Sequence, residues 1–450
     1  MRKIILPLII ALLIIWLAPT AGYAGVAEDY EEAYELQMAA AACLASYNSR
    51  TGMLAREYLS QDGWEIKPFV QSSREADARF LLAQNMRLAG RGRYILAMVG
   101  TETIKDVKVD LRTGKVYFAG RTPEEFAANA KLAGIPDTAP KVHRGFHEYV
   151  QAALTAKTSD GSGLERPLSE LLLADPSLKI FLVGHSLGGA AATVAGARLL
   201  AMGVKPEQIE VITFGAPAVG NEAFAREYSP RLDLTRVVIA GDPVTGVLQK
   251  LVGGYHQFGR ELVWRRSALF EQGPHAVEEY MDLALKNYYD KRTAAVGAGL
   301  VALPRESSPG TGARIYVAAP VDSLPDELKA ESSYMAQALA DQYRRLLPGY
   351  VLAGLDRDAT PRKDAAAAGG KWYVVAEYGG QKVKNERNRY VVTLQHTVYD
   401  TASGNVVHMN SFSSVTANMT PLEALAHDAA GAVADLAAWL GRQRSAENRQ

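Results

Sequence analysis

The chain has 450 residues, of which 48% are hydrophobic and 22% charged, and its 49 Lys and Arg residues balance its 49 Asp and Glu residues. This length allows two or three domains, each with its own core. The neutral balance and the lack of a basic run argue against nucleic acid as a partner. The single cysteine, Cys43, excludes an intramolecular disulfide, and its apolar helical surroundings predict a role in core packing.

The N-terminus has the pattern of an export signal. Arg2 and Lys3 precede an almost unbroken apolar run from 4 to 17, and small residues follow up to Gly25. This order predicts a signal peptide over 1–24, cleaved after Ala24, and therefore a periplasmic or extracellular protein. The alternative is an uncleaved membrane anchor, for which the apolar run is short.

The segment from 25 to 300 predicts strands that alternate with helices. A helix is expected over 28–47, and strand-like segments over 78–83 and 93–99 are separated by a glycine turn. Three further apolar strands, with a helix between the first two, indicate a mostly parallel sheet covered by helices. The remaining predicted elements of this segment are helices over 146–156, 168–173 and 187–202 and strands over 179–183, 210–214 and 235–240.

The pattern changes after a Pro-, Ser- and Gly-rich linker over 301–313. Residues 314–450 predict a smaller α+β domain whose last helix opens with Thr420-Pro421-Leu422-Glu423, a capping box. Such a domain could bind an envelope partner or substrate, or be a structural appendage. Its predicted strands cover 314–319, 350–353, 372–378, 390–399 and 406–412, and its first helix covers 330–347.

The motif Gly184-His185-Ser186-Leu187-Gly188 carries the clearest chemical signal. It lies between a predicted strand and a predicted helix, where a sharp turn exposes the serine hydroxyl and the helix N-terminus offers backbone N–H groups to an oxyanion. Gly184 and Gly188 allow neighbouring backbone to approach closely. We therefore predict Ser186 as a nucleophile.

A serine nucleophile needs a base and an orienting carboxylate, which follow the serine in this order: acid, then histidine. Asp242 ends a predicted strand at the same sheet edge as Ser186. His275, on a loop before a helix, is favoured as the base, and His256 remains the alternative. The other histidines after Asp242 belong to the second domain and are expected to be structural: His396, His408 and His427.

Four motifs resemble the fungal-type class 3 lipase family between about residues 78 and 285. The resemblance implies an α/β-hydrolase fold without metal or cofactor, and hydrolysis of acylglycerols, phospholipids or smaller esters at a lipid interface. It implies Ser186, Asp242 and His275 as the catalytic triad, Thr101 and Leu187 as the oxyanion hole, and a scaffold role for His143. The motifs are 183–190, 213–224, 142–146, and Gly100-Thr101 followed by Asp106 and Asp110-Leu111.

Two positions depart from the family pattern. Val99 stands where an arginine usually precedes Gly-Thr, and Val107 stands where a tryptophan usually follows the aspartate. Alternatives to a lipase or esterase are a phospholipase or acyltransferase with the same triad, and an inactive binding protein of the envelope. A serine peptidase fits the motif set less well.

Overall fold

The structure is a computed structural model that describes residues 5–47, 50–67, 80–86, 92–100, 114–154, 167–266, 273–303, 315–347, 350–352, 360–417 and 419–447. Packing divides the chain into two compact units. The large-sheet unit comprises residues 34–267 and 272–284, and the C-terminal unit comprises 1–33, 268–271 and 285–450.

A seven-stranded sheet forms the centre of the large-sheet unit, in the order β1-β2-β3-β6-β7-β8-β9. Strands β3 and β6 to β9 run parallel to one another, whereas β2 pairs antiparallel with both β1 and β3. The predicted mostly parallel sheet is confirmed. Within the described residues of this unit, the strands are β1 (Glu65–Lys67), β2 (Phe80–Asn85), β3 (Arg93–Met98), the separate two-stranded ribbon β4 (Lys115–Tyr117) and β5 (Lys141–His143), then β6 (Lys179–His185), β7 (Ile209–Phe214), β8 (Asp233–Ile239) and β9 (Arg260–Trp264).

Helices connect and cover these strands. The helix that follows β6 is buried along almost its whole length, because its alanines and glycines let it lie directly on the sheet. In chain order the helices are α1 (Ile5–Ser46), α2 (Arg50–Gln61), α3 (Pro123–Asn129), α4 (Arg144–Leu154), α5 (Leu168–Ala174), α6 (Leu187–Ala201), α7 (Glu222–Tyr228), α8 (Val247–Leu251) and α9 (Val277–Gly297).

The N-terminal helix is longer than predicted. α1 begins at Ile5, whereas the sequence indicated a helix from residue 28. Its alanine-rich second half is buried, and Cys43 there is 1% exposed. Burial raises the pKa of this thiol, as expected for a core cysteine. In the described part of the chain, no helix is both long and apolar enough to cross a membrane.

Several short elements of this unit were not predicted: α2, β1, β4, α3, β5, α7, α8 and β9. The stretch before residue 141 contains β4 and α3, which are too short to produce a periodic pattern, and β9 is a mostly exposed edge strand of five residues. Residues 101–113, which include Thr101, Asp106 and Asp110 of the family motif, and most of the predicted linker 301–313 lie outside the described residues.

The C-terminal unit contains the additional sheet that the sequence predicted. Its order is β12-β10-β13-β14-β15, with β11 pairing with β13, and β13 to β15 form an antiparallel meander. Helix α12 packs on β14 and β15. The elements are β10 (Ile315–Val317), β11 (Val321–Ser323), a 3₁₀ turn (Asp326–Glu331), α10 (Ser332–Leu346), β12 (Tyr350–Leu352), α11 (Pro361–Ala367), β13 (Trp372–Lys382), β14 (Tyr390–Asp400), β15 (Val406–Val415) and α12 (Pro421–Glu447).

The second half of α9 belongs to this C-terminal unit. Lys286 Nζ lies 2.8 Å from Glu331 Oε1, and Arg292 Nη1 lies 2.7 Å from Asp341 Oδ2. All four side chains are less than one third exposed, so solvent screens these ion pairs only in part.

Candidate active site

Ser186 occupies the turn between β6 and α6. Its backbone has φ 58° and ψ −128°, a region that L-residues rarely adopt. The Ser186 N–H donates to the Phe214 carbonyl at 2.9 Å, which ties the turn to β7. A Cβ at Gly184 would overlap the Gly188 backbone, and a Cβ at Gly188 would overlap the Met98 carbonyl. The two glycines are therefore required by close approach of the backbone.

The structure brings the three residues predicted as a triad together. The Ser186 hydroxyl lies 2.8 Å from His275 Nε2, and His275 Nδ1 lies 2.8 Å from Asp242 Oδ2. Since a carboxylate only accepts, His275 carries its proton on Nδ1, and Nε2 is free to accept the serine proton. The arrangement has the geometry of a serine nucleophile, a base and an orienting acid.

The Asp242 side chain is completely buried and accepts three hydrogen bonds. Besides His275, the Tyr280 hydroxyl donates to Oδ2 at 2.8 Å and the Val244 N–H donates to Oδ1 at 2.9 Å. The Ile239 N–H in turn donates to the Tyr280 hydroxyl at 3.0 Å. Burial, with the charge of Asp242, raises the pKa of Tyr280 well above its ordinary value, so this phenol remains a donor.

Gly215 leaves the space that the acid and the base occupy. Its φ is 59°, and a Cβ at this position would lie 2.6 Å from Asp242 Oδ2 and 3.1 Å from His275 Nδ1. Any larger residue would push the carboxylate and the imidazole apart. Gly215 is thus a steric requirement of the hydrogen bond between Asp242 and His275.

His185, the residue before the nucleophile, holds the backbone of the base. Its Nε2 lies 2.8 Å from the His275 carbonyl oxygen, its Nδ1 lies 3.0 Å from the Tyr47 hydroxyl, and its ring centroid is 4.6 Å from that of His275. Burial, followed by the charge of His275, lowers the pKa of His185 well below its ordinary value. His185 is therefore a neutral imidazole.

Of the two predicted oxyanion donors, the structure describes one. Leu187 is the first residue of α6, where a backbone N–H has no acceptor within the helix. Thr101 lies outside the described residues, and its neighbour Gly100 is buried beside the elbow. A Cβ at Gly100 would lie 2.6 Å from the His185 carbonyl oxygen. The role of Thr101 stays a prediction.

The alternative base lies elsewhere. His256 is exposed, and its backbone N–H donates to the Gly220 carbonyl at 2.9 Å. The structure brings His275 to Ser186 instead.

The predicted scaffold residue His143 is fully buried beside Phe146, with ring centroids 4.4 Å apart. Within the described ranges, no three His, Cys, Asp or Glu side chains are grouped as metal ligands.

A mostly parallel sheet with an elbow serine, a histidine and a buried aspartate defines the α/β-hydrolase class. Residues 95–251 match the model of the lipase (class 3) family, which supports that family for this segment. The matched segment includes Ser186 and Asp242, and it ends before His275.

Named relatives cover only part of the chain. A secreted mono- and diacylglycerol lipase of Fusarium solani is 33% identical over 120 residues, 27% of this chain and 33% of that protein. Phospholipase A1-II 4 of Oryza sativa subsp. japonica is 31% identical over 173 residues, 34% of this chain and 43% of that protein. The chain thus spans less than half the length of either relative.

Among solved structures, the triacylglyceride lipase of Rhizomucor miehei is similar to this chain. It has 21% sequence identity and a TM-score of 0.39, and the alignment covers 52% of this chain and 80% of the Rhizomucor miehei chain.

Proposed function

We propose that the chain is a serine hydrolase that cleaves carboxylic esters of lipids. The observation that carries the proposal is the pair of 2.8 Å hydrogen bonds that link Ser186 to His275 and His275 to Asp242. A serine hydroxyl is a poor nucleophile without such a base. The match of residues 95–251 to class 3 lipases supports a lipid ester as the substrate.

In the proposed reaction, His275 Nε2 takes the proton of Ser186 as the oxygen attacks the ester carbonyl. The oxyanion is held by the Leu187 N–H and by Thr101, and Asp242 stabilises the imidazolium. His275 then gives its proton to the leaving alcohol. Water attacks the acyl-enzyme by the same steps and releases the fatty acid.

The relatives and the N-terminal sequence support a proposal for the substrate class and the location. The Fusarium solani relative is named as secreted and as acting on mono- and diacylglycerols. With the signal-like residues 1–24, this supports an exported enzyme, periplasmic or extracellular, that meets acylglycerols at a lipid surface. We propose residues 314–450 as a separate domain that binds an envelope partner or the substrate surface.

The first test is hydrolysis of p-nitrophenyl esters of graded acyl length by the wild type and by Ser186→Ala. We expect turnover to fall by about a thousandfold or more, because the variant lacks the hydroxyl that forms the acyl-enzyme. Ser169→Ala is the matched control, since Ser169 is also buried, at 5% exposure, and lies in α5 outside the triad. Wild-type inactivity at every length, with detergent or lipid present, would contradict the proposal.

A phospholipid substrate is the second candidate, favoured by the alignment with the rice phospholipase A1. The triad cannot distinguish head groups, nor water from an acceptor alcohol. Product analysis on phosphatidylcholine and on diacylglycerol, with and without added alcohol, separates phospholipase, lipase and acyltransferase activity.

A further inference from the structure

Tyr47 follows the C-terminal end of α1, outside the segment that matches the lipase family. Its hydroxyl lies 3.0 Å from His185 Nδ1 and packs against Gly100. A Cβ at Gly100 would lie 2.8 Å from this hydroxyl, so the approach is close. One phenol therefore contacts both the residue before the nucleophile and the residue before Thr101.

The protonation of His185 follows from its partners. The His275 carbonyl oxygen can only accept, so Nε2 of His185 must carry the proton and donate. In a neutral imidazole the other nitrogen, Nδ1, is then an acceptor, and the Tyr47 hydroxyl donates to it. Tyr47 thus stabilises the one neutral tautomer that can hold the His275 carbonyl.

In the opposite tautomer, His185 would no longer hold the backbone of His275. With the proton on Nδ1, the lone pair of Nε2 would face the lone pairs of the His275 carbonyl oxygen at the same 2.8 Å, and the contact would be repulsive. The His275 backbone would shift away from Ser186. Small displacements of catalytic groups reduce rates strongly, because the reacting atoms must be held in a near-attack geometry.

We propose that Tyr47 is a positioning residue for the triad: by donating to His185 it fixes the tautomer that anchors His275, and by packing against Gly100 it supports the backbone beside the predicted oxyanion residue Thr101. This inference rests on the proposed ester hydrolysis. It assigns a catalytic consequence to the N-terminal helix, which the lipase-like segment does not include.

The test variant is Tyr47→Phe, which removes only the hydroxyl. We expect kcat to fall by between about 10- and 100-fold, because both reacting side chains are retained but less well oriented. For a short soluble ester, KM should stay within about twofold, since Tyr47 does not bind the substrate. The rate at which a fluorophosphonate labels Ser186 should fall in parallel with kcat.

Tyr343→Phe is the matched control. The Tyr343 hydroxyl lies 2.9 Å from His396 Nε2, and both residues are buried in the C-terminal unit. This variant loses the same kind of bond at a similar cost in stability, but it leaves His185 intact. We expect wild-type kcat and labelling rate in the control. Equal kcat and labelling in Tyr47→Phe and in the control would overturn the inference.

A second variant tests the tautomer directly. In His185→Gln the side-chain amide N–H stands three bonds from Cβ, as Nε2 does in histidine, and an amide cannot change tautomer. Tyr47→Phe should therefore cost less in the His185→Gln background than in the wild type. An equal cost in both backgrounds would overturn the tautomer route.

Ring ¹⁵N signals of His185 separate failure of this inference from failure of the proposed function. Wild-type protein should show a neutral imidazole protonated at Nε2, whether or not any ester is turned over. An Nδ1-protonated ring in the wild type would overturn the inference. An inactive wild type with the expected ring would instead contradict only the proposed ester hydrolysis.

Discussion

The position of Asp242, the buried acid of the triad, depends on the lack of a side chain at residue 215. Asp242 is fully hydrogen-bonded by His275, Tyr280 and Val244, and the space beside its Oδ2 exists because residue 215 is glycine. Packed interiors tolerate little added volume, since neighbours cannot move without breaking their own contacts. The position of Asp242 thus depends on the space that Gly215 leaves free as well as on hydrogen bonds.

Gly215→Ala should therefore reduce kcat/KM by about a hundredfold or more, because the new methyl group displaces the carboxylate from His275. Strain from the positive φ adds about 1–2 kcal/mol of destabilisation. Steady-state kinetics and thermal unfolding measure the two effects.

Gly134→Ala separates strain from the clash. Gly134 also has a positive φ, 72°, but a Cβ there would meet nothing within 4 Å. This control should lose comparable stability and keep wild-type kinetics. If both variants lose activity equally, the steric role of Gly215 is wrong.

Among the helices, α12 shows how local sequence fixes an element. The Glu423 N–H donates to Thr420 Oγ1 at 3.2 Å, and the Thr420 N–H donates to Glu423 Oε2 at 2.8 Å, which is the predicted capping box. Both residues are buried, so water cannot replace these bonds. The cap therefore stabilises the long helix that covers β14 and β15.

Thr420→Ala should destabilise the protein by about 1–2 kcal/mol, because the buried Glu423 N–H loses its acceptor. Urea or thermal unfolding followed by circular dichroism measures this change.

Thr360→Ala is the control for the cap. Thr360 also precedes a proline at a helix start, but its side chain makes no capping hydrogen bond. Its loss should change stability by less than about 0.5 kcal/mol. Equal losses in the two variants would contradict the role of the Thr420 hydroxyl.

At the scale of the whole molecule, α9 contributes to both units. Its residues 277–284, including Tyr280, belong to the large-sheet unit, and 285–297 belong to the C-terminal unit. A domain boundary at the predicted linker 301–313 would separate Lys286 from Glu331. It would also separate Arg292 from Asp341. The C-terminal unit as packed therefore starts earlier in the chain than the linker suggests.

A chain ending at residue 313 should unfold at a temperature several degrees below that of the whole chain. Each kcal/mol lost lowers the melting temperature of a domain of this size by about 2–4 °C, and two partly buried ion pairs are removed. Differential scanning fluorimetry and p-nitrophenyl ester turnover of both chains check this. An unchanged melting temperature would show that 314–450 contributes nothing to the stability of α9.

The nucleophile could be predicted because its signal is local. The glycines of the elbow, the apolar strand before it and the alanine-rich helix after it all lie within about 25 residues of Ser186. Continuous apolar runs also predicted the parallel strands β6 to β8, and the position of His275 on a loop before a helix favoured it over His256. These are features that neighbouring residues determine.

Other parts of the site have no local signal. Tyr47 meets His185 only because α1 packs beside the elbow, and Gly215 is required by atoms of Asp242 and His275, which lie later in the chain. Tyr280 follows His275 by five residues, but only the fold brings its hydroxyl to Asp242. Tertiary packing alone determines these contacts, and a single sequence does not encode them in any spacing.

The burial of Cys43 has a practical consequence. It is the one thiol in the chain, it is 1% exposed, and burial disfavours its reactive thiolate form. The wild-type protein should therefore not react with maleimide dyes or with oxidants that cross-link surface cysteines. A single cysteine introduced on the surface would accept a fluorophore selectively, so that adsorption to a lipid droplet or vesicle could be followed optically.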